Sequence, residues 1–161
     1  AGFMDFKNKE FDLAICFEEL EQTMRPRITH PNVVFKVVSP YRHCLVRLDK
    51  NRLIQVFTNY MINAIKFTEA GQIVMGYEYV EGCIRGYVND TGIGIDEDKK
   101  QRLFNRFEKL NDFAQGTGLG LSICKALVEA QGGAIGADSV KGVGSTFWFT
   151  IPCKAVLEKY N

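Results

Sequence analysis

Five polar residues recur along one otherwise apolar stretch. Arg52, Gln55, Asn59, Asn63 and Lys66 stand at spacings of 3, 4, 4 and 3, which align side chains on one face of a helix. An exposed face normally carries Glu–Lys pairs. This one carries two asparagines a turn apart, although asparagine is a poor helix former. Each asparagine offers a carbonyl acceptor and an amide donor. Beside a lysine, two such groups suit a hydrated divalent cation and a polyphosphate: Mg²⁺ keeps several waters and needs only one or two protein oxygens when phosphates supply the rest. A solvated helix face is the alternative reading of the same stripe.

Two glycine clusters add to it. Asn89-Asp90-Thr91-Gly92-Ile93-Gly94-Ile95 follows a strand pattern directly, and a G-x-G after an aspartate lets the backbone approach a flat ligand closely. Gly116-Thr117-Gly118-Leu119-Gly120-Leu121-Ser122 opens a helix pattern, where main-chain N–H groups bared of side chains form an anion site. Leu121 breaks the dinucleotide fingerprint G-x-G-x-x-G. There is no G-x-x-x-x-G-K-[ST], and no H-R-D or D-F-G set. Each cluster alone reads equally well as a tight turn.

Elements must position these groups. The pattern predicts a short strand at 10–14, a helix at 15–25 ended by Pro26, and strands at 33–38 and 44–48. Asp49 is a good N-cap for a long helix to Phe67. Strands at 72–80 and 83–89 form a hairpin around Glu81-Gly82. A helix over 96–104 begins with three acids, residues 105–116 lack periodicity, and a helix at 119–130 stops at Gly132-Gly133. Strands at 134–138 and 145–151 close the chain. Hairpins and runs, without β-α-β alternation, predict an α+β fold: a mixed, mainly antiparallel sheet with helices on one face.

Composition narrows the chemistry. The 161 residues suit one domain, with 46% hydrophobic and 24% charged residues. Twenty Lys+Arg against 19 Asp+Glu give no electrostatic case for nucleic acid or an anionic membrane. Five scattered cysteines with no CxxC disfavour zinc and disulfides and suit a reducing cytoplasm. His30 and His43 read as surface loop residues. Of the 15 glycines, 11 lie between Gly86 and Gly144, which concentrates backbone freedom around the two clusters.

Four motifs in this order resemble bacterial sensor histidine kinases. Residues 59–68 (NYMINAIKFT) resemble their N box, 90–94 the first glycine box, 103–110 (LFNRFEKL) the F box, and 116–120 the second glycine box. Residues 142–147 resemble the final glycine-containing strand pair, and the likeness runs from Phe11 to Pro152. The F box is most similar to that of hybrid two-component kinases. The resemblance implies the Bergerat ATP-binding fold, a two-layer α/β sandwich with a mixed five-stranded sheet and about three main helices. It implies residues 10–153 as the catalytic ATP-binding domain, 1–9 as the end of a preceding dimerisation helix or linker, and 154–161 as a C-terminal tail.

Roles follow from the same resemblance. The implied cofactors are ATP and Mg²⁺. Asn63 would ligate Mg²⁺, Asn59 would contact phosphate or metal-bound water, and Lys66 would bind phosphate. Phe67 sits where an aromatic packs on the nucleotide. Asp90 would accept from the adenine amino group, Gly92 and Gly94 would let the chain pass the ring, and Ile95 completes that box. Lys109 would reach toward the γ-phosphate. Gly116, Thr117, Gly118, Leu119, Gly120 and Leu121 would form the phosphate end, and Thr146 would support adenine recognition through water. Residues 96–115 would be the ATP lid. Lys109 and Asn59 are the catalytic candidates.

The superfamily's hydrolases and serine kinases carry a glutamate base one turn before the metal asparagine. That position is Asn59, which cannot take a proton, so transfer to an already nucleophilic histidine is favoured over hydrolysis. The acceptor histidine would lie on a dimerisation domain outside this sequence, with a response regulator downstream. The resemblance further implies a monomeric fragment that makes no membrane contact and binds no nucleic acid. A nucleotide sensor without transferase activity, and a domain with no ligand, are the competing possibilities.

Overall fold

A computed structural model describes residues 5–94 and 119–161, with Leu119 described in its backbone only. The elements are β1 (Lys9–Asp12), α1 (Leu13–Met24), β2 (Val33–Val38), β3 (Tyr41–Leu48), α2 (Lys50–Phe67), β4 (Gly71–Val80), β5 (Cys83–Asp90), α3 (Leu119–Ala130), β6 (Ala134–Val140), β7 (Gly144–Pro152) and β8 (Ala155–Lys159). The 96–104 helix, the F box and residues 105–116 lie outside the described residues, as do Ile95, Lys109, Gly116, Thr117 and Gly118.

Two sheets form. Five strands in the order β2-β4-β5-β7-β6 make the larger one, parallel between β2 and β4 and antiparallel elsewhere. The smaller has the order β1-β3-β8, antiparallel throughout. The mixed five-stranded sheet with three helices bears out the expected α+β sandwich.

Local chemistry explains several boundaries. Asp49 caps α2: its Oδ1 accepts from the Arg52 amide at 3.1 Å and its Oδ2 from the Lys7 amide at 2.8 Å. The β4–β5 turn has positive φ at both Glu81 (53°) and Gly82 (77°), matching the twist of the two strands.

The core lies where α1, α2 and α3 meet the strands. Phe17 of α1 packs edge-on against Phe57 of α2, at 5.0 Å between centroids, and against Tyr77 of β4, at 4.6 Å. Phe57 continues to Phe149 of β7 at 5.1 Å. Tyr60 is fully buried and donates its hydroxyl to the Trp148 carbonyl at 2.9 Å, which fixes the middle of α2 on β7. α3 seals the far side with Leu121, Cys124, Leu127 and Val128.

Three details differ from the sequence-based expectations. Asp12 ends β1 and caps α1, accepting from the amides of Ala14 (3.0 Å) and Cys44 (2.9 Å), so the helix begins at Leu13, two residues early. Residues 155–159, expected in a tail, form β8 on β3. His43 lies within β3 instead of a loop, its Nδ1 2.6 Å from Asp12 Oδ2 and its Nε2 3.7 Å from Glu158 Oε2. Among the described residues, no helix is long and apolar enough to cross a membrane.

Candidate functional site

The polar stripe of α2 is graded in depth. Arg52, Gln55 and Asn59 are half-buried, Asn63 is buried and Lys66 is exposed in the last turn. That arrangement departs from a plain solvated face. Asn59 Nδ2 lies 3.4 Å from both the Gly120 carbonyl and Cys124 Sγ, so its amide is committed to α3. Its Oδ1 remains toward the start of α3, where a Cβ at Gly120 would stand 3.6 Å away, in ordinary contact. Asn63 has no hydrogen bond from its side chain among the described residues, although it is 8% exposed.

Asp90 ends β5 and is buried. Its Oδ1 accepts from the Gly92 amide at 2.9 Å, while its Oδ2 is sealed from solvent without a partner. Burial pushes the carboxyl up to about 6, opposed by the main-chain N–H groups of Gly92 and Ser145. The following turn is stitched on three sides. Thr91 N donates to the Gln72 carbonyl at 3.1 Å, Ile93 N to the Phe67 carbonyl at 3.2 Å, and Gly142 N to the Ile93 carbonyl at 2.6 Å.

The glycines here are required by close approach. A Cβ on Gly92 would overlap the Phe67 carbonyl, and one on Gly94, which has φ +71°, would overlap the Val140 carbonyl. A cavity of about 380 Å³ opens beside Phe67, Thr91, Gly92, Ile93 and Gly142. The first glycine box, the end of α2 and the β6–β7 turn are thereby assembled around one place.

Two expected members sit elsewhere in detail. Leu121 is 1% exposed and its side chain belongs to the core, so any ligand contact there would come from its main chain. In the β5–β7 register Asp90 faces Ser145, and Asn89 faces Thr146. Paired residues share a face and neighbours alternate. Thr146 therefore projects opposite to Asp90, and its Oγ1 accepts from Asn89 Nδ2 at 2.7 Å. Ser145 stands on the Asp90 face, 2.7 Å from Ser139 Oγ. Sequence reasoning missed Ser145, Cys124 and the buried Thr68 after α2. The strand alternation from Asp90 could have found the first, while the other two follow only from packing.

Cys124 is buried, its thiol pushed up to about 11 by burial against the Asn59 contact that lowers it. Among the described residues, no group of three His, Cys, Asp or Glu could hold a metal ion. Any cation here would rest on amide oxygens and on oxygens its ligand brings, which suits a hard ion that stays partly hydrated.

Residues 48–155 match the family described as histidine kinase-, DNA gyrase B-, and HSP90-like ATPase. The sensor histidine kinase AruS of Pseudomonas aeruginosa is 40% identical over 152 residues, covering 88% of this chain and 15% of its own length. Among solved structures, the catalytic domain of the histidine kinase ThkA is 33% identical with a TM-score of 0.79, over 92% of this chain and 96% of that one. Full-length ShkA in complex with AMPPNP is 30% identical with a TM-score of 0.85, over 96% of this chain and 33% of that one. The chain thus spans about 15% of AruS but nearly all of the ThkA domain.

Proposed function

The chain belongs to the histidine kinase-, DNA gyrase B-, and HSP90-like ATPase family and is the ATP-binding catalytic domain of a sensor histidine kinase, and from that premise we propose that its cleft presents Mg·ATP to a histidine on a separate dimerisation domain. A response regulator would take the phosphoryl group onward, in a cytoplasmic setting. The domain itself would be monomeric.

One observation carries the assignment of the cleft. Asp90 Oδ2 is a buried carboxylate oxygen with nothing to accept from. Such a group is costly unless a ligand supplies a donor. The amino group of adenine is a donor of the right kind, and Gly92 and Gly94 let the turn after Asp90 pack tightly on the Phe67 and Val140 carbonyls beside it. ShkA, which resembles this chain over 96% of it, was solved with AMPPNP.

The metal fits the residues present. Asn63 supplies a side-chain oxygen with no hydrogen bond among the described residues, and Asn59 has already spent its amide on α3, which leaves its oxygen for a ligand. Mg²⁺ would supply charge neutralisation at the phosphates. Lys66, at the exposed end of α2, would add a cation. Ser145 takes the place beside Asp90 that Thr146 cannot reach. Lys109 and the residues of the second glycine box would complete the phosphate end. With no carboxylate at position 59, the chain's part is positioning and electrostatic stabilisation, and the acceptor brings its own nucleophile.

Calorimetric titration with ATP, with and without Mg²⁺, tests the cleft. Saturable Mg-dependent binding is expected, weakened at least tenfold in Asn63→Ala. Phosphohistidine should form only when the upstream dimerisation segment is supplied. Labelled phosphohistidine on the isolated chain would overturn the assignment of the acceptor.

A further inference from the structure

Two buried side-chain atoms among the described residues have no hydrogen-bond partner: Asp90 Oδ2 and Thr68 Oγ1. Asp90 has its place in the cleft. Thr68 lies one residue beyond α2, is 1% exposed, and has extended backbone angles, φ −117° and ψ 108°. A threonine near a helix end ordinarily bonds a nearby main-chain group. Thr68 does not. A merely space-filling residue at a sealed position would be better as valine, because a buried hydroxyl without a partner is destabilising.

The two residues that carry the orphan atoms both meet Gly92. Gly92 N donates to Asp90 Oδ1 at 2.9 Å, and a Cβ at Gly92 would stand 2.9 Å from Thr68 Oγ1. Their chemistries are complementary: an ionised carboxylate oxygen only accepts, whereas a hydroxyl also donates. The edge of adenine carries the matching order, an amino donor beside the ring-nitrogen acceptor N1.

We propose that Thr68 is a base-reading residue, its hydroxyl donating to the adenine ring nitrogen next to the amino group that Asp90 accepts. The role rests on the nucleotide-binding cleft proposed above. Both atoms are closed from solvent, so the role requires the 91–94 turn to part from the end of α2 when the base binds. Those two segments are joined at this point by the Ile93 N to Phe67 carbonyl bond.

The test is a cycle between protein and ligand. Affinities for ATP and for 1-deaza-ATP, in which the ring nitrogen is replaced by C–H, are measured on the wild type, Thr68→Val and Thr68→Ser. ATP should bind Thr68→Val about tenfold more weakly, the size of one lost hydrogen bond. Wild type should lose about the same factor on passing to 1-deaza-ATP, and Thr68→Val should lose nothing further. Thr68→Ser should bind ATP as wild type does. The ligand-free melting temperature of Thr68→Val should stay level or rise. Unchanged ATP affinity in Thr68→Val, or two losses that multiply independently, would overturn the proposal. If wild type bound neither nucleotide, the cleft assignment would fall with it. If ATP binding survived and only Asp90→Asn weakened it, the cleft would stand and Thr68 alone would fall.

Discussion

The side-chain amide of Asn59 donates to the Sγ of Cys124 at 3.4 Å, joining α2 to α3. The amide half of Asn59 is therefore structural, and its oxygen is the half that the proposed nucleotide site would use. Its neighbour Asn63 makes no such bond.

The two asparagines should separate by measurement. Asn59→Ala removes a bond between α2 and α3 and should lower ligand-free stability by about 1 kcal/mol. Asn63→Ala should leave ligand-free stability near wild type. Both should weaken Mg·ATP binding. Denaturant melts beside calorimetric titrations check this; equal stability losses in the two variants would contradict the division.

Asp90 gives a pH signature. Its folded value, about 6, lies above the unfolded value of 3.8, so between them the folded state holds more protons. Stability from this group is full below the unfolded value and is lost as pH rises toward the folded one. At neutral pH the buried charge costs about 2–3 kcal/mol. Asp90→Asn keeps an acceptor for Gly92 N and should raise the ligand-free melting temperature at about pH 7.5, while ATP binding weakens. A lower melting temperature at that pH would refute the burial argument.

The glycines should split into two classes. Gly94 has φ +71° and a Cβ there would run into the Val140 carbonyl, so Gly94→Ala should destabilise by about 2 kcal/mol or more. Gly120 lies in α3, with the nearest obstacle to a Cβ at 3.6 Å. Gly120→Ala should fold at least as well as wild type, gaining up to about 1 kcal/mol of helix propensity. Thermal melts of both variants decide.

Much of this was legible in the sequence and some was not, for physical reasons. α2 was readable at both ends because Asp49 is a strong cap and its apolar and polar faces alternate regularly. The β4–β5 hairpin was readable because Glu81-Gly82 interrupts two strand patterns. β8 was not: Ala155–Lys159 is short, and its partner β3 lies more than a hundred residues upstream. The role of Asp12 was hidden likewise, since the Cys44 amide that it holds comes from a remote strand. In the site, box residues were visible by type and spacing. The choice between Ser145 and Thr146 needed strand register, and the isolation of Thr68 needed packing.

Asp12 supplies an acid-side test. Burial raises its carboxyl, but the amide of Cys44, the ring of His43 and the amide of Ala14 together hold it below 3.8. A depressed carboxyl stabilises above its unfolded value, and that stability is lost as pH falls through the folded one. Asp12→Ala should cost about 1–2 kcal/mol at about pH 6, as a lost helix cap does. The gap from wild type should narrow below about pH 4. Paired melts across that range check it; a constant gap would assign the loss to packing instead.

The three-stranded sheet has a mechanical consequence. β1 and β8 both run antiparallel to β3 and flank it on opposite sides. The chain enters opposite Leu48, where Lys9 pairs, and leaves opposite Tyr41, where Lys159 pairs. Those points are roughly 23 Å apart at strand spacing. Tension between the two ends would pull β1 one way and β8 the other, loading both ladders in shear. The hydrogen bonds of each ladder would share that load together, whereas an entry and exit on the same end would have let them open one at a time like a zip.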